Sequence, residues 1–295
     1  MTCLYLDSPL HDEARRTALY RGDLFLYAAR RAVQELCTFA RGMLEGAFRP
    51  HPPEEAQHHL PVRRYAEILA SLKPAFIHHP ESKRHLQALL ADLGCDPDET
   101  HFDVPRLRSS TSGGYLTTGI AYAFHPHRDT WYSAPLCQQN WWLPLYPLAP
   151  DNGMAFHPRY WSRPVKNGSR HYDYAEWNRR SRFDAAKHIG VDTRVQPRPE
   201  EDLDLSDDLR IVCGAGDLVV FSAAQLHSSV ENTSDRTRFS IDFRTVQMAD
   251  VRAGRGAANV DSECTGTTMR DYLRLRDLAH VPEEWVRCYE RGFGR

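Results

Sequence analysis

The sequence predicts a mixed α and β fold, mainly β at its centre, in which strands form a barrel supported by helical segments from both ends of the chain. Three observations predict it. Apolar residues recur at helical spacings between residues 12 and 93 and again from 267 to 291, while the stretch between carries short apolar runs instead. Gly214-Ala215-Gly216-Asp217 is a turn signal, and Leu218-Val219-Val220-Phe221 after it reads as a short buried strand. Beyond it, Arg236, Arg238, Ser240, Asp242 and Arg244 alternate with Thr237, Phe239, Ile241 and Phe243, the period of two that sends one set into a barrel and the other outside. We read residues 1–295 as one domain: 1–103 mostly helical support, 104–250 the β core with an insertion at 159–210, and 251–295 a C-terminal helical segment.

Within this outline, residues 12–46 carry Leu24, Ala28, Ala32, Leu36, Phe39 and Leu44 at helical spacings, and 63–75 and 81–93 read as two further amphipathic helices. His51, His58, His59, His78 and His79 sit beside Pro52, Pro53 and Pro80, so they are expected in surface loops rather than around a metal. The β region is expected to begin near Val104. Residues 159–187 interrupt it with eight cations against three anions. Such an insertion supplies an active-site lid, and a basic lid suits an anionic substrate; the alternative is a solvated excursion compensated by the acidic run Glu200-Glu201-Asp202-Leu203-Asp204-Leu205-Ser206-Asp207-Asp208. From 267 to 291, Tyr272, Leu273, Leu278, Trp285, Val286 and Tyr289 are expected to pack a terminal helical segment.

Length and composition suit one enzyme-sized domain: 295 residues, 41% hydrophobic and 26% charged. A formal charge of −2 argues against nucleic acid as a partner, since phosphate-backbone binding calls for a basic surplus. Met1-Thr2-Cys3-Leu4-Tyr5-Leu6-Asp7 is neither a basic leader nor a long apolar run. No stretch approaches the ~18 apolar residues of a membrane span, so a cytoplasmic protein without a membrane partner is expected. The seven cysteines are odd in number and show no Cys-x-x-Cys, which suggests neither a disulfide framework nor a zinc site.

The chemistry begins with His-x-Asp, which this chain contains three times: His101-Phe102-Asp103, His127-Arg128-Asp129 and His171-Tyr172-Asp173. One such pair plus a distant His is the ligand set of the 2-His-1-carboxylate triad, which holds non-haem Fe(II) and leaves three positions open for cosubstrate and oxygen. The pair must close a strand backed by apolar sequence, so that the site is rigid and poor in water. His127 and Asp129 meet this on both sides, with Gly119-Ile120-Ala121-Tyr122-Ala123-Phe124 before them and Asn140-Trp141-Trp142-Leu143-Pro144-Leu145-Tyr146 after. His171 lies in the polar stretch Lys166-Asn167-Gly168-Ser169-Arg170, and His101 opens a segment rather than closing one. The distal ligand is His227, shortly after the strand at 218–221. In the alternating strand either set could face inward. If the polar set does, its guanidinium needs a partner, and a dicarboxylate would take a bidentate bond from one Arg and a hydroxyl bond from Ser240.

His-x-Asp, Trp142, Asp151-Asn152-Gly153, His227-x-Ser229-x-x-Asn232-x-Ser234 and Arg238 together resemble the phytanoyl-CoA dioxygenase (PhyH)-like family of Fe(II)/2-oxoglutarate-dependent oxygenases, over about residues 105 to 245. The resemblance implies a double-stranded β-helix (jelly-roll, cupin-like) fold and His127, Asp129 and His227 as iron ligands. It further implies that Arg238 binds the far carboxylate of 2-oxoglutarate and that Ser229 and Trp142 line the cosubstrate pocket. His157-Pro158-Arg159-Tyr160 departs from the family's usual Pro-Gly-Ser-His turn, so the pocket edge is expected to be built differently. The carboxylate of Asp129 argues against halogenation, because related halogenases put a small residue there and bind chloride instead.

The function expected is therefore oxidation of a small-molecule metabolite, hydroxylation foremost, with desaturation, epimerisation or cyclisation as variants of the same chemistry. Fe(II), 2-oxoglutarate and O2 are the expected cofactor and cosubstrates. His125, Arg128, Trp131, Tyr132 and Arg244, close in sequence to these residues, are the candidates for substrate contact. The alternative is a non-catalytic cupin-like protein that binds a ligand or a structural metal. The complete triad together with Arg238 argues against it, since a binder does not need both open metal positions and a dicarboxylate clamp.

Overall fold

Strand β1 (Leu4–Leu6), helix α1 (Asp12–Leu19) and strand β2 (Leu24–Tyr27) lead into helices α2 (Arg31–Phe48), α3 (Val62–His78) and α4 (Pro80–Asp92). The computed structural model describes residues 2–121, 125–180, 194 and 196–291. After α4 come β3 (Thr100–Phe102), β4 (Arg106–Ser110), β5 (Gln139–Pro144) and β6 (Met154–Phe156). Helix α5 (Tyr174–Arg180), β7 (Leu209–Ile211), β8 (Leu218–Ser222), β9 (His227–Ser229) and β10 (Arg238–Gln247) follow. Helix α6 (Met248–Ala253), β11 (Leu273–Arg274) and helix α7 (Glu283–Glu290) end the described chain.

The strands form two sheets. The larger runs β1-β2-β8-β5-β10-β3-β11, with β4 also paired to β10, and the smaller runs β7-β6-β9. Strand alternation decides what each face of the larger sheet meets. Phe25, Leu218, Val220, Trp141, Leu143, Phe239, Ile241 and Phe243 face one way and join a single core with Val33, Leu36, Ala40 and Leu44 of α2 and Tyr65, Leu69 and Phe76 of α3. Leu24, Trp142, Val219 and Phe221 face the other way and pack with Met154, Phe156 and Ile211 of the smaller sheet. The two sheets therefore meet face to face, and the polar members of β10 lie on this inner side. Their cross-strand neighbours are on the same side: Ser240 is in register with Arg108 and Pro144, Asp242 with Trp142 and Arg106, and Arg244 with Asn140.

Several expectations change. The helical run expected over 12–46 is broken at Gly22, which takes φ +97 and whose added Cβ would meet the Trp161 ring at 2.6 Å. Leu24 consequently belongs to a strand, and β structure begins at Leu4, well before Val104. The apolar run before His127 is not a strand where it is described: Gly119–Ala121 form a 3₁₀ turn, and Tyr122, Ala123 and Phe124 lie outside the described residues. The C-terminal segment is helical at α7, whereas Thr268–Asp271 form a 3₁₀ turn and Leu273 pairs with Phe102 of β3. Among the described residues, no helix is long and apolar enough to cross a membrane.

Candidate metal centre

His127 and His227 face each other across an isolated antiparallel bridge, with N-to-O distances of 2.9 and 3.0 Å in the two directions. Each imidazole donates its Nδ1–H to the carbonyl two residues earlier, His127 to His125 O at 2.9 Å and His227 to Gln225 O at 2.9 Å. A carbonyl can only accept, so these bonds fix the tautomer and leave Nε2 of each ring as the ligating atom. Both Nε2 atoms look at one oxygen: Asp129 Oδ1 lies 3.4 Å from that of His127 and 3.9 Å from that of His227. All three side chains are buried, and their ligand atoms lie within 4.8 Å of one another.

Local structure explains the convergence. A tight turn from Ser222 to Gln225, tied to the β1–β2 region by Gln225 Nε2 donating to Gly22 O at 2.5 Å, delivers His227 to the start of β9. Asp129 opens a 3₁₀ turn to Tyr132, which closes at Ser133 in the left-handed region with φ 64. Burial acts to raise the Asp129 carboxyl, but Arg244 with the two imidazoles outweighs it and holds the group well below the usual carboxylate range. Burial, reinforced by His127, pushes His227 down to about 3, so that its ring is neutral at neutral pH. Two imidazole nitrogens and one carboxylate oxygen, all buried, are a donor set for a divalent cation such as Fe(II).

On the same inner face Arg238 is buried, its guanidinium 5.7 Å from the Trp142 ring centroid. Its Nη1 donates to Asn152 O at 3.1 Å and to Gly153 O at 2.8 Å. The Asp151-Asn152-Gly153 turn thus aims the guanidinium. Burial lowers Arg238 to about 10, which leaves it charged at neutral pH. Its Nε and the Ser240 hydroxyl are buried and, among the described residues, without a hydrogen-bond partner, two positions apart on one strand face. Orphaned buried donors are costly, and an anionic acceptor would satisfy both. Ser229 is half-buried on β9, paired with Met154. The residues present therefore fit a dicarboxylate as well as a metal.

The candidates for substrate contact divide. Tyr132 stands edge-on to the His127 ring at 5.5 Å and donates to Pro197 O at 3.0 Å, where His125 Nε2 also donates at 2.8 Å. Arg244 reaches Asp129. Arg128 and Trp131 are engaged away from the triad; for Arg128, held between two ligands, a salt bridge pointing away was the open alternative to substrate contact. Arg128 is buried against the carbonyls of Ala224, Tyr160 and Arg163 and pairs with Asp261, which also accepts from Trp131 Nε1 at 2.7 Å. Adjacent residues alternate in direction, so the residue between two inward-facing ligands points out. Arg236 is exposed near Glu54 and Glu55 rather than beside Arg238. Asp103, just past β3, accepts from the Arg244 backbone N–H and Asp173 accepts from Glu176 N and Thr265, so neither joins the triad.

Two cations of the basic insertion pair with the acidic run. Arg159 pairs with Asp204 and Asp207, and Arg170 with Glu200 at 2.9 Å. Arg182, Asp184 and Lys187 lie outside the described residues. His157, at the departure from the family pattern, is buried with its Nε2 3.0 Å from Ser228 Oγ. Sequence reasoning missed Gln138, which donates to Asp129 Oδ2 at 3.3 Å, and the Arg108–Asp242 pair. The only signal for Gln138 is its parity with Asn140 and Trp142, which places it on the inner side.

No family model and no curated protein matches the chain. Solved structures to which it is similar include the non-heme alpha ketoglutarate dependent carbocyclase SnoK from nogalamycin biosynthesis, with TM-score 0.39 and 13% identity over 81% of this chain and 85% of that one. The epimerase SnoN in complex with Fe3+, alpha ketoglutarate and nogalamycin RO gives TM-score 0.39 and 14% identity over 80% of this chain and 85% of that one. EvdO2 from Micromonospora carbonacea var. aurantiaca, complexed with 2-oxoglutarate, gives TM-score 0.35 and 14% identity over 59% of this chain and 62% of that one.

Proposed function

We propose that this chain is an Fe(II)- and 2-oxoglutarate-dependent oxygenase of the double-stranded β-helix, PhyH-like kind, which hydroxylates a small molecule. The observation that carries the reading is the buried His127–Asp129–His227 cluster on the same inner face as the orphaned Arg238 Nε and Ser240 Oγ. When bound, iron supplies the oxidising chemistry, with 2-oxoglutarate and O2 converted to succinate and CO2. The chain's own contributions are positional and electrostatic. His127, Asp129 and His227 hold the metal through Nε2, a carboxylate oxygen and Nε2, and the Nδ1 bonds keep both rings in the ligating tautomer. Arg238 and Ser240 take the far carboxylate of the cosubstrate, Trp142 backs the guanidinium, and Ser229 shapes the wall. Tyr132 and His125, anchored on Pro197 O, flank His127 on the side left for substrate. An intact Asp129 favours hydroxylation over halogenation, since the carboxylate occupies the position a halide would need.

The test is anaerobic addition of Fe(II) and 2-oxoglutarate. A weak visible charge-transfer band, absent with either alone, is expected of a bidentate chelate, and succinate release stimulated by one member of a metabolite panel would then name the substrate. A protein that binds both without the band is a binder, and the proposal fails.

A further inference from the structure

We infer that Arg244, assisted by Gln138, is a positioning residue that turns Asp129 so that a single oxygen, Oδ1, faces the metal; this rests on the metal-centre reading above. The two oxygens of Asp129 have different surroundings. Oδ1 faces the two imidazoles, 3.4 Å from His127 Nε2 and 3.9 Å from His227 Nε2. Oδ2 accepts from Gln138 Nε2 at 3.3 Å and from Arg244 Nε at 3.4 Å. A carboxylate engaged by donors at one oxygen presents the other, and ligation through one oxygen leaves a coordination position that chelation would fill.

Both donors are themselves held from behind. Arg244 Nη1 and Nη2 lie 3.4 Å from Asp103 Oδ2 and 3.4 Å from Asp242 Oδ2, and Asp103 Oδ1 accepts the Arg244 backbone N–H at 2.7 Å. Asp242 is paired in turn with Arg108 at 2.5 Å. Gln138 Nε2 also donates to Asn140 Oδ1 at 2.8 Å, while its Oε1 accepts from Tyr272 at 2.5 Å. Rotating the Asp129 carboxylate would break its contacts to two donors whose other bonds hold them in place, so the side chain is oriented by groups drawn from five separate stretches of the chain. A residue present only to neutralise buried acids needs charge alone. Arg244 meets Asp129 through Nε and its two acids through the other two nitrogens, a three-way division that Lys cannot reproduce.

Co2+ titration under anaerobic conditions, followed by visible absorption and equilibrium dialysis, separates these roles. Arg244→Ala should bind Co2+ about ten- to a hundred-fold more weakly than the parent and with altered d–d bands. Arg244→Lys should keep the altered bands although it restores the charge, and Gln138→Leu should shift them in the same direction with a smaller loss of affinity. Parent-like bands and affinity in Arg244→Lys overturn the inference, because charge alone then suffices. If Arg244→Ala does not fold, Gln138→Leu decides, and parent-like bands in that variant overturn it. Asp129→Ala is the separate control: should it bind Co2+ as the parent does, the metal-centre reading itself is wrong.

Discussion

At position 238 the guanidinium is buried against Trp142 with an orphaned Nε, whereas at 236 it is exposed near two glutamates. Both have the same parity in the sequence, and only the point where β10 begins separates them. Arg238→Ala should therefore raise the 2-oxoglutarate requirement by roughly 2–5 kcal/mol, while Arg236→Ala stays within about 0.5 kcal/mol, as read from cosubstrate titration of the charge-transfer band. The reverse order would mean that the dicarboxylate binds elsewhere. The three His-x-Asp aspartates should rank in the same graded way. Asp129→Ala should lose bound iron and succinate formation, Asp103→Ala should weaken iron because it releases Arg244, and Asp173→Ala should keep parent iron stoichiometry. Loss of iron in Asp173→Ala with retention in Asp129→Ala would move the site to the insertion. The choice of His127-x-Asp129 rested on flanking apolar sequence, of which the run after it forms β5 whereas the run before it is a 3₁₀ turn where it is described. The fate of Arg128 was not legible, since its partner Asp261 lies far along the chain and nothing local announces the pair.

Among the elements, the alternation of β10 was legible, but which set faces inward was open until the structure placed Phe239, Ile241 and Phe243 in the helix-covered core and the polar set on the inner face. The smaller sheet was nearly invisible: β6, β7 and β9 have three residues each, too few to show a period. Its stitching carries a pH signature. His157 at the end of β6 is pushed down to about 4 by burial, partly offset by Asp208, and its Nε2 bonds Ser228 of β9. The folded-state value lies below the ordinary 6.5, so between about 6.5 and 4 the unfolded chain takes up a proton that the folded form refuses. Stability should fall as pH drops through that window, by on the order of 2 kcal/mol from this group. His227 and His125 titrate in the same direction, so the informative quantity is a difference. Urea midpoints from pH 7 to 4 should decline less steeply for His157→Gln than for the parent, and parallel declines would show that His157 is not kept neutral by the fold.

For the molecule as a whole, the order helical, then β, then helical was readable, but the share of the N-terminal segment in the sheet was not. A helix and a helix–strand–helix can place apolar residues at similar spacings, and what decides between them is the tertiary packing of Gly22 beneath Trp161. The consequence is that β1 and β2, on either side of α1, are strands of the larger sheet. Leu24 is fully buried on the inner face with Trp142 and Phe221, Phe25 is fully buried on the helical face, and β2 covers the edge of β8. The link reaches the site through Gly22 O, which accepts from Gln225 Nε2, while Gln225 O accepts from His227 Nδ1. Deleting residues 1–28 would expose an unpaired apolar strand edge and release the turn that aims His227. Leu24→Ala, the milder perturbation, should cost about 2–5 kcal/mol in denaturant unfolding with the fold retained. The deletion should abolish both cooperative unfolding and Co2+ binding. A truncated protein that still unfolds in one sharp transition and binds Co2+ like the parent would show that this segment is needed for neither the fold nor the site.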